Sequence, residues 1–156
     1  MNCISSSPLF ELHSLSYDYE AFTALTYSLP SQPHDNTDAQ SVVDQYVNIT
    51  NSQLEGLGTR NPQGVLEDAT QYGLASAINV LVLEIRRFFV SLILQKNSFT
   101  KDQRVVLYDT VLAQNRIVDS FLQGTPEFAP KVLEIVQRDL EVARQSYAST
   151  SNELRD

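Results

Sequence analysis

The sequence predicts an all-α fold: an antiparallel four-helix bundle core with an extended N-terminal arm and an additional C-terminal helix. Apolar residues recur three or four positions apart through most of the chain, as on one face of an α-helix. No stretch alternates for long enough to require a β-sheet. Glycine, proline and short polar segments separate the periodic stretches, which favours antiparallel neighbours. The chain of 156 residues has the size of one domain, and we predict a single domain over 1–156.

The first third of the sequence predicts an arm and a pair of helices. Residues 1–17 form the predicted arm, because their apolar residues show no clear helical period. Ser16 or Asp18 can cap a first helix, which a proline ends. Thr37 or Asp38 can cap a second helix after a polar turn, and the two helices are expected to pack antiparallel. The apolar positions of the second helix are Ala39, Val42, Val43, Tyr46, Val47 and Ile49.

The middle of the chain contains its longest apolar block. Residues 50–64 are predicted to form a surface loop, because glycines and an Asn-Pro pair interrupt every pattern there. The block Leu74–Gln95 predicts a long helix that is buried on most sides. A membrane span is the weaker alternative, since the charges of Glu84, Arg86 and Arg87 would be costly in hydrocarbon. The apolar stripe of this helix is Ile78, Leu81, Ile85, Phe88, Phe89 and Leu92.

Two further helices are predicted in the last third. Thr100 and Gln103 have the spacing of a capping box, so a fourth helix is expected to begin there and to run to Gly124. Pro130 is expected to open a fifth helix, because proline is favoured in the first helical turn. The tail over 149–156 is predicted to fray.

Composition and motifs restrict the possible functions. The formal net charge is −8, so the isolated chain does not attract nucleic acid or an anionic membrane over long distances. The sequence lacks the nucleophile-elbow, P-loop and dinucleotide signatures. His13 and His34 have no further zinc ligands at suitable spacing. We therefore expect no enzyme, no cofactor and no metal.

The cations near the junction of the third and fourth helices are candidate binding residues. They are Arg86, Arg87, Lys96, Lys101 and Arg104. One hypothesis is a compact phosphate-binding strip, reinforced by the free N–H groups at the start of the fourth helix and by repetition in an array of subunits. The alternative is that they are ordinary surface charges, which serve solvation and weak pairing.

Several short segments resemble a known family. They are Ile4–Phe10 with Ser14–Tyr17, Leu25–Val43, Asp68–Thr70 with Ser76–Glu84, and Thr59-Arg60-Asn61. In that order they resemble the amino arm, the first two helices, the long inner helix and part of the RNA-facing segment of the coat proteins of rod-shaped plant viruses of the tobacco mosaic type. Together they cover about a third of the chain.

The resemblance implies a capsid protein that assembles with copies of itself into a helical rod and packages single-stranded RNA. Arg60 matches the first arginine of the family's RNA-facing triplet, and Asp68 matches an acid near the RNA. The implied locations are the virion and, during assembly, the host cytoplasm. We accordingly expect copies of the chain and RNA as partners, and neither a membrane nor a small molecule. The alternative is a non-viral helical-bundle adaptor that binds a protein partner.

Overall fold

The computed structural model describes residues 8–32, 37–54, 68–123 and 129–155, which form helices and turns but no strand. The all-α prediction is confirmed. A π-helical turn continues the second helix, and a 3₁₀ turn precedes the fourth. In these ranges the α-helices are α1 (Pro8–Tyr27), α2 (Thr37–Ile49), α3 (Asp68–Leu94), α4 (Lys101–Gln123) and α5 (Pro130–Arg155), and the two turns are Thr50–Leu54 and Lys96–Ser98.

Helix α3 lies at the centre of the packing. It contacts α1 and α5 most extensively; α5 also packs along α4, and α2 contacts both α1 and α4. Burial of a large apolar side chain contributes about 1.5–3 kcal/mol, so this central helix carries much of the stabilisation. Its predicted apolar stripe is buried throughout, from Ile78 to Leu92.

One face of α3 is exposed, whereas the sequence predicts a helix that is buried on most sides. Val90 is 50 % exposed and Leu94 is 67 % exposed. Tyr72, Val80 and Leu83 are exposed as well, and their spacing places all five on one side of the helix. No other described helix covers this side. Within the part of the chain that the structure describes, no helix is both long and apolar enough to cross a bilayer.

The N-terminal arm is predicted wrongly from position 8 onwards. Helix α1 begins at Pro8, and residues 1–7 of the expected arm lie outside the described ranges. Leu12, Leu15 and Tyr19 are buried at helical spacing because α1 packs along α3. Serine and threonine favour caps and turns over helix interiors, but here the Ser16 hydroxyl donates to the carbonyl oxygen of Leu12 at 3.0 Å.

The surface loop and the frayed tail also need correction. The chain stays helical through Thr50–Leu54, and the rest of the predicted loop lies outside the described residues. Helix α5 continues to Arg155, where we expected fraying. Thr150, Ser151 and Leu154 are buried, and this packing against the core keeps the last turns helical.

The predicted beginnings of α4 and α5 are confirmed. The backbone N–H of Gln103 donates to Thr100 Oγ1 at 3.2 Å, and the backbone N–H of Thr100 donates to Gln103 Oε1 at 2.9 Å. This reciprocal pair is the capping box. Helix α5 begins at Pro130, and the preceding N–H of Ala129 donates to Gln71 Oε1 of α3 at 2.7 Å.

Candidate functional site

A chain of buried hydrogen bonds joins three helices in the core. The Tyr46 hydroxyl on α2 donates to Gln114 Oε1 on α4 at 2.7 Å. Gln114 Nε2 donates in turn to the hydroxyl oxygen of Tyr19 on α1, at 2.6 Å. All three side chains are completely buried. Gln114 therefore uses both its amide oxygen and its amide nitrogen in hydrogen bonds, as expected for a polar side chain in the interior.

Two further hydroxyls belong to the same region. Tyr147 on α5 is 1 % exposed, and its hydroxyl is unpaired. Thr50 Oγ1 is buried and makes no hydrogen bond of good geometry, but it faces the Tyr19 hydroxyl closely enough to lower the pKa of Tyr19. An unpaired buried polar group costs about 1–3 kcal/mol. We call Tyr19, Tyr46, Thr50, Gln114 and Tyr147 the buried polar cluster.

The π-helical turn accounts for the position of the Thr50 hydroxyl. Thr26 and Thr110, which lie inside regular α-helices, donate to the carbonyl oxygen four residues earlier at 2.7 Å. Thr50 is the first residue of the π-helical turn and makes no such bond. Short π-helical segments occur frequently at functional sites. The irregular turn therefore leaves the Thr50 hydroxyl without the carbonyl bond of a regular helix, and this hydroxyl faces Tyr19 instead.

The ionised forms of the cluster tyrosines are disfavoured. Burial is the largest cause, and it raises the pKa of Tyr19, Tyr46 and Tyr147 above the ordinary value for tyrosine. The proximity of the other tyrosines raises the pKa of Tyr46 and of Tyr147 further. The hydrogen bond from Gln114 opposes the shift at Tyr19 without cancelling it. The interior is thus a region in which negative charge is unfavourable.

Aromatic rings surround the cluster. Phe88 on α3 lies 5.1 Å from Tyr46 and 5.7 Å from Tyr19 between ring centroids. Phe89 lies 5.3 Å from Tyr147, with the rings edge to face. Such pairs add roughly 0.5–1.5 kcal/mol beyond area burial. The polar atoms therefore form a small group inside an apolar, aromatic environment.

Arg86 and Arg87, predicted to bind phosphate, line a surface groove instead of entering the core. The groove has a volume of about 450 Å³ and runs between α1 and α3, with Thr23, Tyr27, Leu83 and Val90 as its other walls. Arg87 pairs with Glu84 at 2.9 Å. Among the described residues, Arg86 has no carboxylate partner.

The other predicted site residues lie elsewhere. Lys96 faces Glu153 of α5 at 3.8 Å, Lys101 is exposed, and Arg104 is half-buried. None of these three lines the groove that holds Arg86 and Arg87. The backbone at Asp68 begins α3, while its side chain, like all of Arg60, lies outside the described part. The capping box occupies N–H groups that the predicted strip would have offered to phosphate.

A second surface groove separates α2 from α4. Its volume is about 900 Å³, and its walls are polar and acidic, with Asp44 and Asp102 among them. Gln40, Asn48 and Gln103 supply amide groups, and Gln103 Nε2 donates across the groove to Gln40 Oε1 at 3.1 Å. None of the predicted cations lines it.

Comparisons with known proteins give one clear relation, in structure. No protein-family profile matches the chain, and neither does any curated protein. A solved structure, that of AFMP4P in complex with palmitic acid, has a similar fold with a TM-score of 0.72. The match covers 96 % of this chain and 98 % of that chain, at 11 % sequence identity. At this identity the likeness establishes a shared fold.

The coat-protein prediction is wrong. The solved structure that this chain resembles along nearly its whole length is that of AFMP4P, which is not a coat protein. The predicted partners, copies of the chain and RNA without a small molecule, are wrong on the same finding, since AFMP4P was solved with palmitic acid. The non-viral helical protein, our alternative, agrees better with it. The family resemblance and the location in a virion stay untested predictions.

Sequence reasoning missed the buried polar cluster. The spacing places Tyr46 among the apolar positions of the second helix, and nothing in the sequence marks the tyrosine hydroxyls as a group. The signal that could have found the site is Gln114, which follows Leu107 and Val111 at helical spacing. An amide on the buried face of a helix requires partners, and tyrosine hydroxyls on other helices can supply them.

Proposed function

We propose that this protein binds a lipid with a long acyl chain, of the fatty-acid class, between its helices. The buried polar cluster holds the polar end of the ligand, and the aromatic side chains around it contact the acyl chain. The protein acts by binding and not by catalysis. The observation that carries the proposal is the unpaired hydroxyl of Tyr147 inside an apolar core.

The energetics of Tyr147 support a ligand. Phenylalanine would bury the same ring without a hydroxyl, so the tyrosine hydroxyl destabilises the ligand-free fold by about 1–3 kcal/mol. A ligand oxygen that bonds to it removes this cost. Ligand pockets are typically apolar, with a few convergent polar groups that fix orientation. The cluster and its surrounding rings have this composition.

The shared fold supports the class of ligand. AFMP4P was solved with palmitic acid, a carboxylic acid on a long alkyl chain. The buried rings of Phe22, Phe88 and Phe89 offer apolar contacts suited to an alkyl chain, because burial of each CH₂ group contributes about 0.8 kcal/mol. We further propose that the helices around this interior form an antiparallel four-helix bundle core with one additional helix, in which facing helices supply the ligand contacts.

Direct binding of palmitic acid tests the function. The purified protein is stripped of lipid, titrated with palmitic acid from a cyclodextrin carrier, and followed by equilibrium dialysis and thermal unfolding. We expect saturable binding and a rise in melting temperature, since a ligand at 100 times its Kd stabilises by about 2.7 kcal/mol. Native mass spectrometry of the protein before stripping should also reveal a bound lipid.

Two matched variants locate the site. Tyr147→Phe removes only a hydroxyl of the cluster and is expected to weaken palmitic acid binding about five- to tenfold, as expected for one lost hydrogen bond. Tyr17→Phe removes the hydroxyl of a tyrosine that is 72 % exposed, and binding should not change. Absence of saturable binding by the parent protein would contradict the function. Equal affinities of the two variants would contradict the assigned site.

A further inference from the structure

We infer that the polar end of the bound ligand is uncharged, so that a fatty acid binds in its protonated form and a fatty alcohol or ester binds as well. This inference rests on the proposed function and identifies the chemical class of ligand that the same site selects. The charge and the hydrogen-bonding capacity of the side chains around the cluster determine which ligands the site selects.

Among the residues that the structure describes, no cation lies in the core to balance a buried carboxylate. The groups that face the cluster are hydroxyls, one amide and phenyl rings: Tyr19 and Phe22 from α1, Tyr46 from α2, Thr50 from the π-helical turn, Phe88 and Phe89 from α3, Gln114 from α4 and Tyr147 from α5. Every lysine and arginine in the described ranges is exposed or only half-buried. Among the described residues, Asp18 beside Tyr19 is the carboxylate that acts on the cluster. Its negative charge would repel an ionised ligand carboxylate.

Uncharged polar groups match the hydrogen bonds that the cluster offers. A hydroxyl both donates and accepts, and so does the Gln114 side chain. A protonated carboxylic acid or an alcohol also donates and accepts, so either can pair with the unpaired hydroxyl of Tyr147 and with the hydroxyl of Thr50. An ester offers only acceptor oxygens, which can accept hydrogen bonds from these two hydroxyls. An ionised carboxylate could only accept, and full burial would shift its pKa upward by as much as 3–5 units.

The groove between α1 and α3 is the competing location for an ionised head group. Arg86 and Arg87 are its cations, and its other walls include Tyr27, Leu83 and Val90. Both arginines are exposed. A carboxylate bound there would keep much of its hydration, and its affinity would not fall as the acid ionises. The two locations therefore give opposite dependences on pH.

A series of ligands measured at two pH values distinguishes the buried polar cluster from the groove as the location of the polar end. Palmitic acid, hexadecanol and methyl palmitate are each delivered from cyclodextrin to the stripped protein at about pH 6 and about pH 8, where a free carboxylic acid is mostly ionised. We expect the affinity for palmitic acid to fall by at least about tenfold between these values. A ligand that binds only when protonated loses about tenfold in affinity for each pH unit between the pKa of the free acid and the pKa of the bound acid. Hexadecanol has no ionisable group and should bind equally at both, which also controls for changes in the protein.

The double variant Arg86→Gln, Arg87→Gln provides the second arm. If the polar end is uncharged in the core, this variant binds all three ligands with the parent affinities. Palmitic acid binding that persists undiminished at about pH 8, or that is lost in the double variant, would overturn the inference while leaving lipid binding intact. Failure of all three ligands to bind would overturn the proposed function itself. Circular dichroism of the variant confirms its helical fold.

Discussion

Two substitutions that each remove a single buried hydroxyl are expected to change stability in opposite directions. Tyr46→Phe deletes the donor of the 2.7 Å bond to Gln114 Oε1 and leaves that oxygen unpaired in the core. Tyr147→Phe deletes a hydroxyl that has no partner. Both side chains are almost completely buried, and both substitutions keep the ring. The difference between them therefore isolates the pairing of the hydroxyl.

The expected magnitudes follow from these contacts. Leaving an acceptor unpaired costs about 1–3 kcal/mol, so Tyr46→Phe should lower the free energy of unfolding by that amount. Tyr147→Phe should raise the free energy of unfolding of the ligand-free protein by about 1–3 kcal/mol, because it removes an unpaired polar group. For a chain of this size, each kcal/mol corresponds to roughly 2–4 °C in melting temperature.

Urea unfolding followed by circular dichroism measures both changes on stripped protein. Tyr17→Phe, at an exposed tyrosine, serves as the control and should stay within about 0.5 kcal/mol of the parent. The m-values should be unchanged, since the native packing is kept. Destabilisation of similar size at positions 46 and 147 would refute the reasoning, because it would mean that the Tyr147 hydroxyl is paired in the ligand-free protein.

Further predictions concern the core, the capping box and the response to alkaline pH. Phe88→Ala removes the ring that contacts both Tyr19 and Tyr46 and should cost about 3–5 kcal/mol in urea unfolding; a loss below about 1 kcal/mol would mean that the ring is not central. Thr100→Ala removes the cap on Gln103 and should cost about 1 kcal/mol, whereas Thr100→Ser should retain most of it. Burial raises the pKa of three core tyrosines in the folded state, so their contribution to stability is intact below about pH 10 and declines above it, as the unfolded chain ionises first. The urea midpoint should fall accordingly above that pH, with tyrosinate absorbance from these residues appearing on unfolding; an unchanged midpoint would contradict the assigned burial.

The helices were largely predictable because their evidence is local. The capping box and the proline in a first turn predicted where α4 and α5 begin. The apolar spacing predicted the buried face of α3. The arm was predicted wrongly because the apolar residues within 1–17, taken alone, show no clear helical period. The spacing of Leu12, Leu15 and Tyr19 was already helical, and packing against α3 decided the outcome. Local propensity is a weak prior that such tertiary contacts override.

The candidate site could not be predicted in the same way, because its evidence is not local. Gln114 bonds to Tyr46 across 68 positions of sequence and to Tyr19 across 95 positions. Each tyrosine fits an apolar face by itself, so periodicity places the ring in the core and is silent about the hydroxyl. The cations are the opposite case. Charge is conspicuous in a sequence, but Arg86 and Arg87 lie in an exposed groove, away from the buried polar cluster.

Affinity and stability oppose each other in the buried polar cluster. The unpaired hydroxyl of Tyr147 destabilises the ligand-free protein, and a ligand gains affinity by removing that penalty. Tyr147→Phe should therefore stabilise the protein and weaken its binding, as expected where binding residues are kept at a cost in stability. The cluster draws side chains from α1, α2, α4 and α5, and rings of α3 surround it. A ligand oxygen bonded there would thus be held by groups from several helices at once, which makes the polar end of the ligand, more than its alkyl chain, the part that the protein can discriminate.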